Sequence, residues 1–162
     1  MLKLRKNKKG FTLVELIVVI AIMAVLAGTV AGVTVSQLNK QTDKTMATEA
    51  KGIADFISTW IIENNIDLTT TANLDAVKDS ANTTLMDALE KQYGNKAVKK
   101  TGNTVAAGTI AVSFVQGPKS ASDATADPAK NVIKVEYKGK QSGTNGDVSY
   151  TVNVEGVVAK GA

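Results

Sequence analysis

The residues that could carry out chemistry are limited first by what the sequence lacks. It contains no cysteine and no histidine, which excludes thiolate nucleophiles, imidazole bases and Cys/His zinc sites. Three acids predicted to lie in loops, Asp123, Asp127 and Asp147, could contact a hard cation, but their spacing fits no EF-hand and such a site needs six or more oxygen ligands. Serine and threonine are numerous, and nothing marks one as activated. We therefore predict no enzymatic activity, no catalytic residue, no metal and no cofactor.

The basic residues are concentrated at the start of the chain. The formal net charge is +4, yet the first ten residues hold five cations and no acid, so residues 11–162 carry a net charge of −1. A nearly neutral body offers little electrostatic attraction for nucleic acid. A smaller group, Lys96, Lys99 and Lys100, is interpreted as a solvated surface. We predict no specific nucleic acid or small-molecule partner.

The ionisable residue in the least expected place is Glu15, the single charge in the apolar run 11–35. A helix of 25 residues rises by roughly 37 Å, enough to cross a bilayer core of about 30 Å. A carboxylate at the centre of such a helix costs on the order of 2.5–3.5 kcal/mol, and less near its end. An ionisable residue there is a functional hypothesis, the alternative being an interfacial side chain in contact with headgroup water. The preceding cations favour a cytoplasmic N-terminus.

The junction before this run could be a processing site. Gly10 has no side chain, so the backbone there can enter a tight protease groove. Cleavage after Gly10 would remove five cations and create an α-amine on Phe11, four residues from Glu15, which could offset the cost of the buried carboxylate. A secretory signal cut near residues 25–27, or an uncut single-span anchor, would explain the basic and apolar layout, but neither uses Glu15.

Residues 8–16, KKGFTLVEL, resemble the processing motif of type IV prepilins and pseudopilins, and the resemblance extends over residues 5 to about 35. It implies that a prepilin peptidase cuts after Gly10 and N-methylates Phe11. It also implies that Thr12 and Glu15 serve filament assembly, with Glu15 pairing with the amine of a neighbouring subunit.

The chain departs from the pattern of many type IV pilins at Gly32, where they have proline. Gly28 and Gly32 form a GxxxG pattern in a stretch of weak helix propensity. We interpret this stretch as a weak point where the helix can kink or melt in a filament, with chance composition as the alternative.

The elements that must position these residues begin with one long helix over residues 11–64, which contain no proline. Its first half is wholly apolar, and in residues 36–64 apolar side chains recur at three- and four-residue steps, as expected for a helix that covers a core. The predicted core face comprises Met46, Ala50, Ile53, Ile57 and Trp60 or Ile61. The charged residues expected mostly off that face are Lys40, Asp43, Lys44, Glu49 and Lys51.

The remaining residues, 65–162, predict a small head. Residues 65–108 form a helical connection with one or two short helices that end at Gly94, followed by an irregular stretch over 96–108. Alternating apolar and polar residues then predict three antiparallel strands over 109–115, 132–138 and 148–154. The second and third strands are separated by the turn dipeptide Asn145-Gly146. The first two strands are linked by residues 117–131, which contain both prolines.

The predicted fold class is therefore α+β: a long N-terminal helix on a small antiparallel sheet of about three strands. The domains are a leader peptide (1–10), an assembly helix (11–35), the amphipathic half of that helix (36–64) and the head (65–162). The resemblance implies a structural subunit of a type IV pilus for adhesion, motility or aggregation. The alternative is a pseudopilin of a type II secretion or competence system. Implied partners are prepilin peptidase, the assembly machinery, the cytoplasmic membrane before assembly, and copies of the chain in a surface filament.

Overall fold

The computed structural model describes residues 10–118, 127–140 and 146–161. The chain divides into two compact units, Met1–Leu38 and Asn39–Ala162. They are called the stem and the head below, so that the head from here on includes residues 39–64 as well as the head predicted over 65–162. One helix, α1 (Leu13–Glu63, 51 residues), contains residues of both units. The expectation of a single uninterrupted helix from the apolar run into the amphipathic segment is confirmed.

The part of α1 in the head buries one face against a β-sheet. Its buried apolar residues recur every three or four positions and belong to one core cluster with residues of the strands, as predicted. Burying a large aliphatic or aromatic side chain contributes roughly 1.5–3 kcal/mol, so this stripe ties the helix firmly to the sheet. The stripe consists of Ala50, Ile53, Ala54, Ile57, Trp60 and Ile61.

The sheet has five strands, not the three predicted from alternation, in the order β1-β2-β3-β4-β5. The predicted strands correspond to β2, β3 and β4, which pair antiparallel. The two additional strands have three residues each, too few to show alternation. The five strands are β1 (Ala97–Lys99), β2 (Ile110–Val115), β3 (Val132–Tyr137), β4 (Val148–Asn153) and β5 (Val158–Lys160).

Strand β1 corrects the prediction of an irregular stretch over 96–108, because it pairs in parallel with β2. Strand β5 pairs antiparallel with β4 at the opposite edge. Along β3, buried and half-buried residues alternate strictly, so one face of the sheet packs on α1 and the other faces outward. The buried residues of β3 are Ile133, Val135 and Tyr137.

Of the three lysines predicted to form a solvated surface, Lys96 and Lys99 are exposed and Lys100 is half-buried, and each is also paired with an acid. Lys96 Nζ lies 2.6 Å from Glu49 Oε1, and Lys99 pairs with Asp75. Lys100 Nζ lies 2.6 Å from Glu136, which Lys134 also contacts at 2.8 Å on the outer face of the sheet. Sequence spacing could not reveal these pairs, since each joins Lys96, Lys99 or Lys100 to an acid on a distant element.

The connection from α1 to the sheet contains a 3₁₀ turn, Leu74–Ala76, and helix α2, Leu85–Tyr93. A reciprocal capping box of Thr84 and Asp87 begins α2, and Gly94 follows it with φ +61°, so the predicted short helices and their stop are confirmed. In the described part of linker 117–131, buried Asn131 accepts from Gly117 N at 3.0 Å and donates to Leu68 O at 2.8 Å. Asp123 and Asn145 lie outside the described residues.

Asp43 was expected off the core face, and this expectation is wrong. Its side chain is buried, and its Oδ1 accepts from Tyr137 Oη at 2.6 Å and from Lys140 N at 3.0 Å. Position 43 continues the stripe of Met46 and Ala50 by one more helical step, so the spacing is consistent with burial. A Cβ added at Gly146 would come within 3.0 Å of Asp43 Oδ2, so the β3–β4 connection closes tightly on the helix.

Candidate processing and assembly site

The predicted scissile junction lies in non-helical chain immediately before α1. Gly10 and Phe11 are exposed and have no regular secondary structure, and α1 begins at Leu13. Phe11 is 91 % exposed. A Cβ added at Gly10 would meet no atom within 4 Å, so the described part of the chain has space for a side chain at this position. The basic residues of the predicted leader, 1–9, lie outside the described residues.

Thr12 and Glu15 together form a capping box at the start of α1. Thr12 Oγ1 accepts from Glu15 N at 3.2 Å, while Glu15 Oε2 accepts from Thr12 N at 2.8 Å and from Thr12 Oγ1 at 2.7 Å. This arrangement satisfies two backbone N–H groups that have no partner within the helix. The Thr-x-x-Glu spacing is itself a capping-box signal in the sequence, although Thr12 and Glu15 were predicted only to serve filament assembly.

The capping box gives Glu15 a defined position. Its carboxylate lies at the helix N-terminus, where the helix dipole favours negative charge. Both hydrogen bonds of the Glu15 side chain are accepted by Oε2, from Thr12 N and from Thr12 Oγ1, and within the described residues none involves Oε1. One carboxylate oxygen is thus occupied within the subunit, and the other can accept a further hydrogen bond.

The stem exposes an apolar surface, and its contact with water is energetically unfavourable. Every residue from 10 to 35 is exposed within the chain. By length and composition α1 is the one helix among the described residues that could cross a membrane. Burying such a surface in lipid or against other helices is favourable by about 25 cal/mol per Å² of apolar area. The exposed residues include Leu13, Val14, Leu16, Ile17, Ile20, Ile22, Met23, Val25, Leu26 and Val30.

The two stem glycines lie inside the helix. Gly28 and Gly32 are helical, and a Cβ at either position would meet nothing within 4 Å. Thr29 and Thr34 donate their hydroxyls to Leu26 O and Val30 O, each at 2.9 Å. These bonds satisfy the hydroxyls in an apolar setting. Kinking or melting at Gly28 and Gly32 in a filament stays a prediction.

The loop acids considered for a cation do not gather in the described parts of the chain. Asp127 accepts from Ala129 N at 3.1 Å at the start of a short 3₁₀ turn, and Asp147 accepts from Gly139 N at 2.8 Å. No cluster of three potential metal-ligating residues occurs among the residues that the structure describes. Both of these acids therefore stabilise local turns.

Residues 5–31 match the protein-family model described as the prokaryotic N-terminal methylation motif. No curated protein matches the chain, and no solved structure matches it. The match includes Gly10, Phe11, Thr12 and Glu15 and is consistent with a type IV prepilin-like protein. It associates the chain with pilin-like or pseudopilin proteins, whose shared motif is structural rather than catalytic.

Proposed function

We propose that the protein is the precursor of a structural subunit of a type IV pilus. The observation that carries this proposal is the arrangement at the N-terminus. An exposed Gly10-Phe11 junction directly precedes a capped helix with an exposed apolar surface, within the matched methylation motif. The precursor lies in the cytoplasmic membrane with its N-terminus in the cytoplasm, and the mature subunit polymerises into a surface filament that serves adhesion, motility or aggregation.

Maturation begins with hydrolysis of the Gly10–Phe11 peptide bond by a prepilin peptidase. Because both residues lie outside the helix, the enzyme can bind them as extended chain without unwinding α1. Cleavage removes the five leader cations, which would otherwise repel one another when subunits come together. The peptidase then methylates the new amine of Phe11.

Assembly pairs the Phe11 amine of one subunit with Glu15 of another. The Thr12 cap holds the carboxylate at the helix start through Oε2, which leaves Oε1 to accept from the incoming ammonium group. A carboxylate buried among apolar helices without a partner is costly, and an ion pair offsets that cost. The pair therefore favours one axial register among otherwise uniform apolar helices.

The alternative function is a pseudopilin of a type II secretion or competence system, because pseudopilins share the same N-terminal motif. Secretion pseudopilins often carry a calcium-binding loop near the C-terminus. The sequence offers no such pattern, and Asp127 and Asp147 contribute to local turns. This favours a pilus subunit.

N-terminal sequencing and intact-mass measurement of filaments sheared from the cell surface test the proposal. The expected subunit lacks residues 1–10, starts at Phe11 and carries one additional methyl group. An intact Met1, a mature start at Gly28, or the absence of the protein from sheared surface material would overturn the proposal.

A further inference from the structure

Three lysines of the head lie around the point where the β3–β4 connection meets α1. Lys40 and Lys44 are on the helix, and Lys140 is on the connection, where its backbone N donates to Asp43 Oδ1 at 3.0 Å. This bond joins residues 97 positions apart, so the grouping exists only in the folded head. All three lysines are exposed. They are called the basic collar below.

The collar keeps a net positive charge, because its three lysines outnumber the two acids beside it, Asp43 and Asp147, whose Oδ1 accepts from Gly139 N at 2.8 Å. None of its three lysines has an ion-pair partner among the described residues. Lys51, seven positions after Lys44 on α1, by contrast pairs with Asp55 at 2.7 Å. The nearest helix acid, Asp43, is buried and accepts hydrogen bonds from Tyr137 and the connection. The aliphatic part of the Lys140 side chain lies across Gly108, so this side chain runs over the surface of the head.

The position of the collar along the chain places two of its lysines shortly after the apolar run. Residues 15–35 of α1 rise by about 30 Å, the thickness of a bilayer hydrocarbon core. Lys40 and Lys44 are the fifth and ninth residues after Val35, so they follow the apolar run within a few helical turns. Lysine side chains extend toward lipid headgroups from such positions.

We propose that the basic collar binds the phosphate groups of anionic lipids at the outer leaflet and holds the head on the membrane before assembly. This inference rests on the proposed membrane stage of the precursor. Near an anionic surface each lysine raises the ratio of docked to undocked head roughly fivefold. Entry of a subunit into a filament then requires release of this contact, so anionic lipid slows assembly.

The full-length chain in vesicles provides the test. Because the sequence has no cysteine, Ala107→Cys introduces one labelling site on an exposed residue beside Gly108. A fluorophore there is quenched by lipids with a headgroup nitroxide when the collar is docked. We compare phosphatidylcholine vesicles with vesicles containing about one third phosphatidylglycerol. Quenching should be stronger with the anionic lipid and should weaken as salt is added.

The collar variant K40Q/K44Q/K140Q should lower the docked-to-undocked ratio by more than about tenfold. The matched control K78Q/K91Q/K160Q removes the same charge from exposed lysines elsewhere on the head and should keep the quenching. Equal quenching in both lipids, equal loss in both variants, or quenching that depends on protein concentration instead of lipid would overturn the proposal.

Vesicle flotation of the same samples separates the two proposals. A chain that floats without lipid-dependent quenching overturns the collar proposal and leaves the pilus function intact. Lipid-dependent quenching by a chain that never appears in sheared filaments supports the collar and contradicts the pilus function. A chain that fails to float overturns the membrane stage and the collar with it.

Discussion

The phenolic hydroxyl of Tyr137 on β3 donates a 2.6 Å hydrogen bond to Asp43 Oδ1 on α1, joining residues 94 positions apart. Burial, followed by the hydrogen bond and the charge of Asp43, raises the pKa of Tyr137 well above its ordinary value. The phenol is therefore protonated and able to donate near neutral pH. The bond therefore connects the part of α1 where the head begins to β3, the strand that precedes the β3–β4 connection.

Tyr137→Phe should destabilise the head by about 1–3 kcal/mol, because the buried Asp43 carboxylate loses a donor. Denaturant unfolding followed by circular dichroism measures the change. The control is Tyr150→Phe, which removes a hydroxyl from the neighbouring strand β4, where it has no recorded hydrogen bond within the described residues. Equal effects of the two variants would contradict the assigned role of the Tyr137–Asp43 bond.

The interactions of the Glu136 carboxylate with Lys100 and Lys134 should make an acid-sensitive contribution to the folding stability of the head. Burial opposes its ionisation, but hydrogen bonds and charges from Lys100 and Lys134 outweigh burial and lower the pKa of Glu136. A lowered pKa contributes stability that is present above the unfolded value of about 4.3 and is lost as the pH falls through the folded value. Glu136→Gln should therefore flatten the decline in unfolding free energy below about pH 4.3. An unchanged pH profile would contradict the prediction.

A fragment from Ser36 to the C-terminus should be a soluble, folded monomer. The core cluster that holds α1 to the sheet contains buried residues from 50 onward only, so removal of residues 1–35 leaves it complete. Circular dichroism and sedimentation measure folding and oligomeric state. An unfolded or aggregated fragment would mean that the boundary near residue 39 is misplaced.

Glu15→Val should abolish or sharply reduce filaments while insertion and cleavage continue, because the scissile residues are unchanged and the helix becomes more apolar. Glu15→Gln separates charge from hydrogen bonding, and partial assembly would show that charge is only part of the effect. Electron microscopy counts filaments, and a blot detects processed subunit. Normal filaments from Glu15→Val would reject the ion pair and leave apolar packing as the driver of assembly.

Thr12→Val is the matched control for the cap. It removes the hydroxyl bonded to Glu15, at a cost of roughly 0.5–2 kcal/mol to the helix start, and retains the carboxylate. If intersubunit pairing governs assembly, Thr12→Val should keep more filaments than Glu15→Val. Equal loss in the two variants would instead assign Glu15 the role of a helix cap.

Gly10→Ala should slow processing only modestly, and Gly10→Glu should block it and leave the precursor in the membrane. The chain has space for a side chain at this position, so both effects would arise in the peptidase groove. Pulse-labelling of precursor and mature chain measures them. Rapid cleavage of Gly10→Glu would contradict cleavage at this junction.

The local features of this protein were predictable from sequence because short-range patterns specify them. The apolar run and the absence of proline predict α1, and alternation predicts β2, β3 and β4 within about one residue at each end. Cleavage at Gly10 and the assembly role of Thr12 and Glu15 rest on an equally short pattern and stay predictions. The same information contained the capping box, which forms between residues three positions apart.

Tertiary structure decided the features that depend on distant partners. β1 and β5 are three residues long and form because β2 and β4 offer open edges to pair with, which no local pattern encodes. Asp43 is buried because Tyr137 and Lys140 provide donors from almost 100 positions away. That same contact brings Lys140 beside α1, so the basic collar exists only once the strands have packed on the helix.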